Sequence, residues 1–223
     1  MSYKGYLVEE NNGVFTSSIK NIDVPKIESN SVIIKVHYSS LNYKDALAAT
    51  GAKGVVKSYP FIPGIDVAGE VIESTSSKFK IGDNVIATGY KIGMSVFGGF
   101  GEIVHLPDSW VVMMPKELDF LTSMSYGTAG LTAAACIKKI TDAKCTDKLP
   151  VIVSGSSGGV GSVAIGILSK IGYEVHALTG KTSHEETLKE MGAKKILDRT
   201  QFMSDPVKAL SLIHISEPTR PSQ

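Results

Sequence analysis

Up to about residue 120 the apolar positions fall in short β-branched runs separated by glycine and proline. Val32-Ile-Ile-Lys-Val-His-Tyr38, Gly64-Ile-Asp-Val-Ala-Gly-Glu-Val-Ile72, the turn and strand of Phe79–Ala87, Gly101–Pro107 and Trp110–Pro115 each read as a strand. Many short strands with turn signals predict a compact, partly closed β-rich domain over 1–120. After Pro115 the pattern changes. Asp119 to Ile140 carries helix formers and small residues, with Gly127-Thr-Ala-Gly130 inside, and predicts a helix, a short break and a second helix. From Val151 the rhythm becomes strand, helix, strand, helix, strand. The strands are Val151–Val153, Glu174–Leu178 and Lys195–Leu197, and the helices are Gly161–Ile171 and Ser183–Met191. Gly172 and Gly192 follow the helices at C-cap positions, and Thr182 or Ser183 is placed to cap the second helix. This alternation predicts a parallel sheet with right-handed crossovers over 121–209, an α/β unit.

Composition narrows the class without naming a function. The 223 residues are 43% hydrophobic and 20% charged with a net charge of +1, which suits a globular protein and argues against a nucleic-acid or membrane-surface role. The two cysteines, Cys136 and Cys145, form no disulfide framework and have no metal-type spacing. His37, His105, His176 and His184 show no ligand spacing and read as core or surface residues, so no metal is expected. The N-terminus lacks a signal-peptide apolar segment and no run is long enough for a bilayer, so the expectation is cytoplasmic.

The chemistry concentrates at Val151-Ile-Val-Ser-Gly-Ser-Ser-Gly-Gly-Val-Gly161. A buried strand, a glycine-rich turn and a helix start offer backbone N–H groups to a pyrophosphate. In the G-x-G-x-x-G frame Ser156 holds the first position, followed by Gly158 and Gly161, while Gly155 and Gly159 add freedom for positive φ. The next strand ends at Thr179-Gly180-Lys181, with no carboxylate to accept from a ribose 2′-hydroxyl. A hydroxyl and a cation suit a 2′-phosphate, so the expected cofactor is NADPH. Arg199, just past the third strand, is a candidate to stack on adenine or pair with the phosphate, or a plain surface residue.

Four spaced motifs then resemble one superfamily. Ser39-Ser-Leu-Asn-Tyr-Lys-Asp-Ala46, Pro60-Phe-Ile-Pro-Gly-Ile-Asp-Val-Ala-Gly69, Gly127-Thr-Ala-Gly130 and Ser154–Gly161 occur in the order of the medium-chain dehydrogenases/reductases. The nearest likeness is to the zinc-free, quinone-oxidoreductase-like branch of acrylyl-CoA reductase type, over about residues 3–209. It implies a GroES-like β-rich N-terminal domain and a Rossmann domain with a doubly wound parallel sheet. Zinc-binding relatives carry a cysteine near Asn42-Tyr43 and a histidine–glutamate pair near Ile65-Asp66; the cysteine, the histidine and the structural-zinc lobe are absent here. Without a Lewis acid an alcohol substrate is disfavoured.

The resemblance implies hydride transfer to the activated C=C bond of an α,β-unsaturated thioester such as acryloyl-CoA. The alternatives are a quinone or enone reductase, and a non-catalytic NADPH-binding redox sensor. It implies catalytic roles for Tyr43, Asn42 and Asp45, with Tyr43 against the nicotinamide and Asp45 alternatively a loop brace. Lys44 and Asp66 read as structural. Ser157, Gly158, Gly159 and Val160 are the implied pyrophosphate contacts; Thr179, Gly180, Lys181 and Arg199 are the implied 2′-phosphate contacts. Lys181 stands where relatives often carry arginine, which softens the preference for NADPH. Lys53 and Lys57 are candidates for coenzyme A phosphates.

Residues 210–223 include Leu210-Ser-Leu-Ile-His-Ile-Ser-Glu-Pro-Thr-Arg220, which resembles a translated sequencing adapter. The expectation is a non-native tail after about Ala209, an incomplete Rossmann domain with three strands, and an inactive or poorly folded fragment. A full-length protein of this family is expected to be a homodimer acting on a small molecule, without nucleic-acid or membrane partners.

Overall fold

The computed structural model describes residues 2–143, 149–180, 182–200 and 213–215, with side chains at all of these except Thr182 and 213–215. Lys181 and Cys145 lie outside the described residues. The chain divides into two compact units, Met1–Thr128 and Ala129–Gln223.

The first unit is built on an antiparallel hairpin and a five-stranded antiparallel sheet. The hairpin pairs β1 (Ser2–Asn11) with β2 (Val14–Asp23). Its turn uses Asn12 (φ 53) and Gly13 (φ 78), left-handed conformations that asparagine and glycine tolerate. The sheet runs β6-β3-β4-β5-β7, from β3 (Ser31–Tyr38), β4 (Asp66–Ser74), β5 (Asn84–Thr88), β6 (Ile103–Pro107) and β7 (Val111–Met113). Val32, Ile34, Val67, Val71, Val85 and Leu106 fill its core. The strand expected over 110–115 is shorter, because Asp108–Trp110 form a 3-10 turn and β7 ends at Met113, two residues before Pro115.

A helix α1 (Tyr43–Ala49) interrupts this unit. Helix α2 (Phe120–Asp142) follows it, and Asp119 caps it: its Oδ1 accepts from the Thr122 N–H at 2.6 Å, which holds the carboxyl below its usual range. The expected break is at Gly127 (φ 48, ψ −147). The chain divides after Thr128, not at 120, because the first turns of α2 bond back to the first unit: the Ser40 hydroxyl donates to the Met124 carbonyl at 2.6 Å.

In the second unit β8 (Val151–Ser154), α3 (Gly159–Lys170), β9 (Val175–Thr179), α4 (Glu185–Glu190) and β10 (Lys195–Asp198) follow the expected alternation. Val151, Ile152 and Val153 are buried, and α3 turns Gly161, Ala164, Ile165 and Leu168 inward. Gly172 (φ 96) and Gly192 (φ 112) terminate the helices in the left-handed conformation expected of them. A 3-10 turn at Thr182–His184 precedes α4, and His184 occupies its N-cap in place of Thr182 or Ser183. Beyond the three expected strands, β11 (Ile213–Ile215), which falls within the tail expected to be non-native, pairs in parallel with β8. The order is β10-β9-β8-β11. Among the described residues no helix is long and apolar enough to cross a membrane.

Candidate active site and cofactor-binding turn

The stretch Ser39–Ala46 is held by two buried carboxyl groups. Asp45 is 2% exposed, and its Oδ2 accepts from the Asn42 N–H at 2.8 Å, half of a capping box at the start of α1. Its Oδ1 accepts from the Gly64 and Ile65 N–H groups at 3.1 and 3.0 Å. Burial pushes the Asp45 carboxyl up, and these hydrogen bonds pull against that shift. The side chain therefore ties α1 to the segment entering β4. Tyr43, next to Asn42, is 78% exposed.

Asp66, fully buried at the start of β4, is the second anchor. Its Oδ2 accepts from Asn42 Nδ2 at 2.8 Å and from the Thr128 N–H at 2.9 Å, and its Oδ1 accepts from the Thr128 hydroxyl at 2.6 Å. Its carbonyl accepts from the Ser39 hydroxyl at 2.7 Å. The bend at Gly127 makes this possible: a Cβ there would lie 2.6 Å from Asp66 Oδ2 and closer still to Ser40 Oγ. Only glycine brings the helix backbone to the carboxyl group. Asn42 is thus oriented by both aspartates.

Beside it is an open groove of about 690 Å³. Asn42, Ala46, Ala49 and Thr50 form one wall, and Tyr6 and Phe100 form another. The two rings meet edge to face with centroids 6.4 Å apart, and the Tyr6 hydroxyl is fixed on Ser17 Oγ at 2.7 Å.

In the second unit the glycine turn has the local conformation that a phosphate cradle needs. Gly155 is left-handed (φ 60), and Gly158 is extended as the N-cap of α3. Gly159 is helical, which corrects the expected positive φ there; its Cβ position lies 3.2 Å from Ala129 Cβ. A Cβ on Gly161 would come within 2.5 Å of the Gly155 carbonyl, so the helix start packs directly on the turn. Ser156 is fully buried and donates to the Leu178 carbonyl at 3.0 Å, fastening the turn to β9. The first N–H groups of α3, those of Gly159 and Val160 among them, have no partner within the helix. At the tip of β9, Thr179 is buried and Gly180 exposed. The Arg199 guanidinium lies 3.1 Å from where a Gly180 Cβ would stand.

Residues 28–116 match the family model described as the alcohol dehydrogenase GroES-like domain. A protein of Escherichia coli named "Probable acrylyl-CoA reductase AcuI" is 41% identical over 88% of this chain and 61% of its own. The chain carries a GroES-like domain and is similar over most of its length to proteins of the medium-chain dehydrogenase/reductase superfamily. A Salmonella enterica oxidoreductase of this fold, solved in complex with NADP, is 38% identical with a TM-score of 0.86, covering 89% of this chain and 62% of that one. The Bacillus subtilis protein YhfP, solved with NAD bound, is 37% identical with a TM-score of 0.86, covering 90% and 61%. The chain thus spans about three fifths of the length of the relatives it matches.

Within this superfamily fold the expected residues separate into two groups. Asn42, Tyr43 and Asp45 share the start of α1 in the first unit. Ser157, Gly158, Gly159 and Val160 line one turn of the second, and Gly180 and Arg199 meet beside it. The sequence reading assigned no helix to Tyr43–Ala49 and no hairpin to Ser2–Asp23, and it left Asp66 without a partner. Signals were present: Asn42 followed three residues later by Asp45 is an N-cap pattern, and Asn11-Asn12-Gly13 is a hairpin turn. Nothing in the sequence pairs Asp66 with Thr128, 62 residues away. Among the described residues no group of three His, Cys, Asp or Glu side chains is arranged for a metal.

Proposed function

We propose that this chain is the substrate-side domain and the adenosine-side half of the cofactor domain of a zinc-independent, NADPH-dependent reductase of activated C=C bonds. The acceptor is an α,β-unsaturated thioester or enone. The observation that carries this reading is the tip of β9. Thr179 and Gly180 leave no carboxylate to meet a ribose 2′-hydroxyl, and Arg199 stands against Gly180. A guanidinium beside a residue without a side chain fits a phosphate monoester, because the fork donates to its oxygens without steric opposition. The turn Gly155–Gly158 and the first N–H groups of α3, which have no partner within the helix, fit a pyrophosphate.

When bound, NADPH supplies the hydride that saturates the β-carbon. The remaining tasks fall to this chain. Reduction leaves an enolate that needs a donor at oxygen and a proton at the α-carbon. Asn42, oriented by Asp66, is the proposed donor, and Tyr43 the proposed proton source. Asp45, whose oxygens hold three backbone N–H groups, is a positioning residue. Asp66 is committed to Asn42 and Thr128, which supports a site that works without zinc.

The test is side-by-side turnover of acryloyl-CoA and a simple quinone by the full-length protein with NADPH and with NADH, for wild type and Tyr43→Phe. Consumption of NADPH in preference to NADH, lowered by Tyr43→Phe, is the expected result. Tight NADPH binding without turnover of either acceptor refutes the reductase reading in favour of a redox sensor. An unchanged Tyr43→Phe rate removes Tyr43 from the mechanism.

A further inference from the structure

Helix α2 gives up one of its own hydrogen bonds beside Asn42. In an unbroken helix the Thr128 N–H donates to the carbonyl four residues back, that of Met124. At Gly127 (φ 48, ψ −147) the backbone leaves the helical path. The two ends of that bond then go to different residues. The Thr128 N–H donates to Asp66 Oδ2 at 2.9 Å, and the Met124 carbonyl accepts from the Ser40 hydroxyl at 2.6 Å. Ser40 stands two residues before Asn42, and Asp66 Oδ2 also accepts from Asn42 Nδ2 at 2.8 Å. The break in α2 is therefore tied to Asn42 from its backbone side and from its side-chain side.

The Thr128 hydroxyl adds what the backbone cannot. A carboxyl group turns broadly about its last torsion, so contacts on one oxygen alone leave its plane unset. Here the second oxygen is held too, because Asp66 Oδ1 accepts from the Thr128 hydroxyl at 2.6 Å. Thr128 thus grips both oxygens and aims Oδ2 at Asn42. All three partners of this fully buried carboxyl group donate to it, and among the described residues no lysine, arginine or histidine is paired with it. Directed hydrogen bonds, not a counter-charge, set its orientation. An asparagine amide is planar with two N–H donors. Once Asp66 takes one, the direction of the other is fixed.

We infer that Thr128 is a positioning residue: through Asp66 it sets the direction of the second N–H of the Asn42 amide. That N–H is the donor which the reductase reading above assigns to the enolate oxygen, and the inference rests on that reading. The test uses the full-length protein with NADPH and the faster of the two acceptors named above. Thr128→Val keeps the shape and the backbone N–H but loses the hydroxyl; Thr128→Ser keeps the hydroxyl. Thr128→Val is expected to lower kcat about 10- to 100-fold, the effect of a misaimed donor, and Thr128→Ser to stay within about threefold of wild type. In an Asn42→Ala background Thr128→Val is expected to lower kcat no further, because residues that act as one unit are not additive, whereas a general loosening of the fold multiplies. Independently of turnover, the NMR signal of the Asn42 side-chain amide, identified by its loss in Asn42→Ala, is expected to shift in Thr128→Val and to hold its place in Thr128→Ser. The inference is overturned by an unchanged kcat in Thr128→Val, by a Thr128→Ser rate as low as that of Thr128→Val, or by a further fall in the Asn42→Ala background. A wild-type rate in Asn42→Ala, or an unmoved amide signal in folded Thr128→Val, overturns it equally. A shifted amide signal in Thr128→Val, with no turnover of either acceptor by wild type, upholds the positioning and refutes the reductase reading.

Discussion

Replacing Asp66 by alanine or by asparagine separates two explanations of why a carboxyl group is fully buried at the start of β4. Asp66→Ala removes the acceptor of three hydrogen bonds, from Asn42 Nδ2, the Thr128 N–H and the Thr128 hydroxyl. Each such bond from a part-buried donor is worth about 0.5–1.5 kcal/mol, and relief from burying the carboxyl group offsets part of the sum. A net loss of about 2–3 kcal/mol follows. Asp66→Asn keeps the shape. With its amide oxygen in place of Oδ2 it still accepts from Asn42 Nδ2 and the Thr128 N–H. Its NH₂ group then faces the Thr128 hydroxyl, which can rotate to accept. All three contacts survive, so the expected cost is about 1 kcal/mol or less. Trp110 is the only tryptophan and lies in the first unit, so its fluorescence during urea unfolding reports that unit alone. If Asp66→Asn costs as much as Asp66→Ala, charge and not acceptor geometry holds the site, and the reasoning fails.

Three further outcomes follow from the same geometry. Gly161→Ala forces a Cβ to within 2.5 Å of the Gly155 carbonyl and should cost about 1–3 kcal/mol, whereas Gly166→Ala meets nothing within 4 Å and should stabilise α3 by up to about 1 kcal/mol; hydrogen exchange of α3 amides distinguishes them. Arg199→Ala should weaken NADPH binding about 10- to 100-fold, the worth of a charge-assisted hydrogen bond, and leave NADH within about twofold; calorimetric titrations that fall equally for both cofactors contradict the 2′-phosphate role. Burial raises the Asp45 carboxyl above its unfolded value near 4. Its contribution to stability is therefore full below about pH 4 and is lost as pH rises through the folded value. Urea midpoints should show wild type losing ground against Asp45→Asn from pH 4 to 7, and a constant difference contradicts the shift.

Sequence alone determined a β-rich first part and the switch to strand–helix alternation at Val151 that marks a parallel sheet, but not the hairpin Ser2–Asp23 or the helix Tyr43–Ala49. Short consecutive runs such as Val32–Ile34 and Val151–Val153 define buried strands, because burial selects such residues locally. The glycine turn, its C-cap glycines and the missing carboxylate at Thr179-Gly180 were equally legible, since each lies within a few consecutive residues. What only the tertiary structure decided are the long-range meetings. Asp66 joins Asn42 to Thr128, Ser156 fastens its turn to Leu178, and Arg199 comes to rest against Gly180. The groove beside α1 belongs to the same kind of fact. Asn42, Ala46 and Ala49 come to line it together with Tyr6 and Phe100, distant in sequence, only through the tertiary fold.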